Sequence, residues 1–118
     1  FARHIYKLGG ISIIMNEENN FLVKAHKSYR LVVAICDKDL YGRKVEEGDK
    51  QLDLTGPFFA GEEKSRAETA DLIRYYLGED ATFNIVGENS CKIAQELGIV
   101  KTEGVIKISN VPYALVLL

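Results

Sequence analysis

Residues 83–100, FNIVGENSCKIAQELGIV, constrain the fold more than any other stretch of this chain. The β-branched and aromatic run Phe83, Ile85 and Val86 reaches a glycine at Gly87. A polar cap follows in Glu88, Asn89 and Ser90. Ile93, Ala94 and Leu97 then recur at helical spacing until Gly98 stops the helix. Strand, tight turn and capped helix are consistent with one another in local chemistry. A unit of this kind points to helices packed on a sheet, and it carries no reaction by itself.

The remaining segments extend that picture. Residues 21–26 alternate weakly and read as a strand. Residues 30–36, RLVVAIC, are almost wholly apolar and β-rich, the pattern of a central strand buried on both faces. Residues 37–48 are polar, with Asp37 placed to cap one short helical turn and Glu47-Gly48-Asp49 placed to turn the chain. Leu52 and Leu54 mark a short strand over 51–54, ended by Gly56-Pro57. Ser65 and Glu68 have capping-box spacing at the head of a helix over 65–77, with Ala70, Ile73 and Leu77 on its inner face and Gly78 as its stop. Strands are expected over 82–86, 105–108 and 113–117, and a second helix over 89–97. The fold class is therefore α+β, a mixed sheet of about five to six strands with two helices packed on it.

A chain of 118 residues suits one domain with a core that needs no staples. No apolar run approaches the roughly 18 residues that cross a bilayer. The net charge of −2 is unevenly spread. Residues 1–36 hold five basic groups against two acidic, +3; residues 37–118 hold ten against fifteen, −5. The acidic body argues against a wide nucleic-acid footprint, while the early strands can still present a small basic patch. The two cysteines, Cys36 and Cys91, have no metal-like spacing, and their use suits a reducing cytosol. The single methionine, Met15, precedes the polar cluster NEENN. Residues 1–14 are expected to be an extended or non-native leader, with the domain spanning 15–118. Mass analysis of the mature N-terminus decides this.

Three segments taken together resemble an archaeal family of short proteins, domain-of-unknown-function family 424. They are CDKDLYGRKVEEGDKQLDL at 36–54, FFAGE at 58–62 and NIVGENSCKIAQELGIV at 84–100; the ending GVIKISNVPYALV at 104–116 also fits. The resemblance covers about residues 20–118. It implies an α+β domain in the cytosol of an archaeon and no assigned activity, so no catalytic residue is carried over. It also implies an aliphatic residue where Cys91 stands.

Candidate site residues fall in three places. Lys24, His26, Lys27, Tyr29 and Arg30 form a basic, aromatic-containing segment; a solvated strand end and turn explains the same residues. Phe58 and Phe59 stand between glycines in a loop, as an interaction patch if exposed or as a lid on the core if buried. At least one is expected inside and the other partly outside. Cys91 falls in the first turn of a helix, where a dipole can lower a thiol pKa. A catalytic thiol also wants a histidine base, and only His4 and His26 exist, so packing is the expected role. Gly87 and the helix start after it make an anion-binding geometry in general, but no phosphate-loop or dinucleotide fingerprint accompanies them, and capping accounts for them. No residue pattern asks for a metal or a cofactor. The expected function is a non-catalytic binding or interaction module with a protein partner; the alternatives are an RNA- or ribosome-associated protein and a small thiol-dependent enzyme using Cys91.

Overall fold

The computed structural model describes residues 3–8, 11–16 and 18–117. Strands β1 (Arg3–Leu8) and β2 (Ile11–Asn16) pair antiparallel as a two-stranded sheet of their own. Met15 falls within β2, opposite His4. Phe1, Ala2, Gly9 and Gly10 lie outside the described residues.

The centre of the molecule is the apolar run read from the sequence. Strand β3 (Phe21–Lys27) turns through residues 28–30 into β4 (Leu31–Asp37), antiparallel, with Lys27 opposite Leu31 and Phe21 opposite Asp37. Two short strands, β5 (Lys44–Glu47) and β6 (Lys50–Asp53), form a separate hairpin around Gly48, whose φ of 63° is the left-handed backbone the turn requires. Strand β7 (Glu62–Lys64) pairs with the start of β3. Helix α1 (Arg66–Gly78) then crosses over to β8 (Thr82–Val86), which lies parallel to β4. Helix α2 (Glu88–Glu96), β9 (Ile106–Ile108) and β10 (Val111–Val116) complete the chain. The six-stranded sheet has the order β7-β3-β4-β8-β10-β9, mixed in direction. The expected α+β class, with a mixed sheet of five to six strands and two helices, is as found, and β1–β2 and β5–β6 add two small sheets.

The differences have local causes. Strands β5 and β7 read KVEE and EEK, mostly exposed, so neither carries an apolar signal. Helix α1 has the expected capping box, with Glu68 N–H donating to Ser65 Oγ at 3.2 Å and Ser65 N–H donating to Glu68 Oε1 at 2.9 Å. Its fully buried residues are Ile73 and Thr69; the Thr69 hydroxyl is satisfied by the Ser65 carbonyl at 2.8 Å, which lets a polar side chain face inward. Ala70 and Leu77 are only partly buried. The helix runs through Gly78, and Asp80, at φ 57°, supplies the left-handed residue after it.

Both sheet faces are used. Phe21, Val23, Val33, Ile35, Phe83, Ile85, Ala114 and Val116 face the helices, against Ile73, Ile93 and Ala94. The alternate residues Leu22, Ala34, Cys36 and Val86 form a second core with Leu52, Leu54, Phe59 and Ile108. The period-two rule thus puts Lys24 and His26 on the second face, beside Leu22.

Candidate functional site

The second face is closed at one end by the β5–β6 hairpin and by the loop that follows it. In that loop a 3₁₀ turn, Pro57–Phe59, begins with proline, whose fixed φ suits the first helical position. Successive side chains of such a turn diverge by a third of a revolution. Phe59 therefore enters the second core and is buried, while Phe58 stays 38% exposed. One ring in and one out is the expected arrangement. As a contact residue, however, Phe59 is corrected: its ring is core.

Strand β3 holds the turn from beneath. Lys24 Nζ donates to the Pro57 carbonyl at 2.9 Å, and His26 Nε2–H donates to the Phe58 carbonyl at 2.9 Å. The imidazole also stacks on Phe58, with centroids 4.7 Å apart and planes 7° from parallel. Phe58 and Phe59 meet edge to face at 5.0 Å. Gly61 then passes so close to β3 that a Cβ there would collide with the Val23 carbonyl. The sequence reading of Lys24 and His26 as a solvated strand end is thereby corrected: both are clamps on an aromatic loop. Beyond them Lys27, Tyr29 and Arg30 are exposed at the β3–β4 turn, Tyr29 almost completely, at 98%. A groove of about 530 Å³ runs along the same strand, lined by Lys24, Ala25, Gly61, Leu72 and Tyr76.

A second constellation sits where the parallel strands end. Asp37, at the end of β4, is buried. It starts a 3₁₀ turn, Lys38–Leu40, as expected, but makes no side-chain bond to it. Its carboxylate instead reaches α2, accepting from Asn89 N–H at 3.1 Å, Ser90 N–H at 2.8 Å and Ser90 Oγ–H at 2.7 Å. The local cap read in Glu88, Asn89 and Ser90 is thus supplied from a strand over fifty residues away. Gly87, at φ 112°, permits this, because a Cβ would fall on the Asp37 carboxylate. The anion-binding geometry of the helix start is filled from within the chain. Sequence reasoning missed this role; an aspartate closing a buried strand was its only signal.

Cys91 is buried in the first turn of α2, with Sγ 3.7 Å from the Ile85 carbonyl. Burial, then the charge of Asp37, pushes its thiol up to about 12, opposite to the lowering a helix dipole alone would give. Among the described residues, no three of His, Cys, Asp and Glu stand close enough to hold a metal ion, and no helix is long and apolar enough to cross a membrane.

A family model described as a protein of unknown function, DUF424, matches residues 26–118. A crystal structure of an uncharacterized conserved protein from Methanopyrus kandleri is similar in fold, with a TM-score of 0.73 at 24% identity, over 80% of this chain and 88% of that one. No curated protein matches the chain.

Proposed function

The chain belongs to DUF424, a family of proteins of unknown function, and from that premise we propose that it is a non-catalytic binding module of the cytosol, contacting its partner through Phe58 and the β3–β4 turn. The observation that carries this reading is the fixing of a part-exposed ring. Phe58 is stacked by His26, and its turn is tied down through two carbonyls by His26 and Lys24. An aromatic side chain already immobilised loses little freedom on binding, which is the property of an interface anchor. The thiol-enzyme alternative has less support. A thiol at about 12 is protonated at neutral pH, and the His26 imidazole lies with the Phe58 loop on the sheet face opposite the one against which Cys91 packs.

The test is affinity capture from an archaeal lysate, with both proteins and nucleic acids identified. Wild-type bait is compared with Phe58→Ser and with Tyr75→Ser, an exposed ring on α1. The expected result is a partner retained by wild type and Tyr75→Ser and lost by Phe58→Ser. Capture of the same set by Phe58→Ser would overturn the site.

A further inference from the structure

The chemistry around Phe58 narrows what that surface takes, on the premise that it is the binding surface. Residues 21–36, which make up β3, its turn and most of β4, contain Lys24, His26, Lys27 and Arg30 and no carboxylate. The carboxylates of neighbouring β7, Glu62 and Glu63, are already paired with Lys64 and Lys38. The acidic excess of the chain lies after residue 36. One exposed ring, Tyr29, belongs to this segment, and a second, Phe58, lies against it. Phe58 is backed by the His26 imidazole, and Tyr29 is 98% exposed. Tyr29 is three positions after His26, so their backbones are at most about 11 Å apart.

An apolar protein hot spot is ringed by neutral contacts that exclude water. Here the flanks of the rings are cations. Cations beside exposed rings are what an unpaired polynucleotide uses, its bases on the ring faces and its phosphates on the basic side chains. A duplex hides its base faces and asks for a broader basic surface than an acidic body offers. We propose that the β3–β4 turn and the Phe58 loop bind single-stranded nucleic acid. Phe58 and Tyr29 stack unpaired bases, and the exposed Lys27 meets a phosphate. Lys24, engaged with the Pro57 carbonyl, positions the loop.

The test is fluorescence anisotropy with a labelled oligouridine of about twelve nucleotides, within the span that single-strand sites occupy. The same-length single-stranded DNA and an RNA duplex serve as comparisons. Both single strands are expected to bind alike, because the named contacts read base faces and phosphates that the two share. The duplex is expected to bind more weakly. Tyr29→Ala and Phe58→Ser should each weaken binding by at least about fivefold, the low end for loss of one stacked base. Lys27→Gln should flatten the slope of log affinity against log salt by about 0.7, the single-strand share of one phosphate. Tyr75→Ala should change neither. Tyr29 is so exposed that its variant tests binding rather than folding. No binding of either single strand at low salt would overturn the proposal, as would tighter duplex binding or affinity that survives both ring substitutions. If the single strands fail while Phe58→Ser still loses a captured protein, the nucleic-acid assignment falls and the binding module stands.

Discussion

Asp37 ties the end of β4 to the start of α2 through one buried carboxylate. Its carboxylate satisfies two amides and a hydroxyl at the start of α2, and charge-assisted bonds of this kind exceed neutral ones. Asp37→Ala should cost about 2–4 kcal/mol, combining a lost cap with a buried hydroxyl and amides left unpaired. Gly87→Ala should be costly as well, since φ 112° with ψ 153° is backbone that only glycine adopts freely, and its Cβ meets the same carboxylate. Because the two share one contact, the double variant should lose less than the sum of the singles; a urea-melt double-mutant cycle that comes out additive would refute the shared contact. The thiols give a pH prediction. Burial first, then the charge of Asp37, pushes both Cys36 and Cys91 from an ordinary 9.0 up to about 12. The folded chain keeps protons that the unfolded chain releases. The stabilisation is therefore whole below pH 9 and is lost as pH rises toward 12. Urea melts between about pH 8 and about pH 11 should show a steeper alkaline loss in wild type than in the Cys36→Ala, Cys91→Ala double variant. In the native state Cys91 should also resist alkylation at neutral pH, and react once the chain is unfolded.

The elements differ in how their neighbouring residues divide the work. On α1, Ile73 is fully buried against the sheet, so Ile73→Ala should cost about 2–5 kcal/mol in a denaturant melt. A loss under about half a kcal/mol, the range of ordinary surface changes, would mean that this helix face is not core. In the Pro57–Phe59 turn the two phenylalanines should separate sharply. Phe59→Ala removes a core ring, at about 3–5 kcal/mol. Phe58→Ser removes a part-exposed ring with one stacked and one edge-to-face pair, at about 1–3 kcal/mol. Equal losses would contradict one ring inside and one outside. The capping box of α1 was legible because all its partners lie within four residues, at Ser65 and Glu68. The cap of α2 was misread because its partner is Asp37, and no local pattern records a bond between residues 37 and 90.

Across the whole molecule, the parallel pair β4–β8 is the hinge of the topology, with α1 carrying the chain between its two strands. Both strands are flanked on each side by others and covered on both faces, so they should open only with global unfolding. Hydrogen exchange should therefore find the slowest amides at Val33, Ile35, Phe83 and Ile85, and faster ones in the exposed β5–β6 hairpin. Slow exchange in β5–β6 with fast exchange in β4 would reverse this order. The sequence by itself determined the fold class, both helices and the central strands. Those features depend on periodicity, propensity and caps that act over a few residues, and runs such as RLVVAIC and the pattern of residues 83–100 express them directly. It also determined that one phenylalanine of the pair would turn inward. Only the tertiary structure decided that β5 and β7 are strands, since their polar residues become extended by pairing rather than by preference. Only it brought His26 and Lys24 under the Phe58 loop, and Asp37 to α2. Each of these contacts joins residues more than thirty positions apart. They exist because the register of β3 and β4 sets side chains on chosen faces, and register is fixed by burying the whole sheet at once.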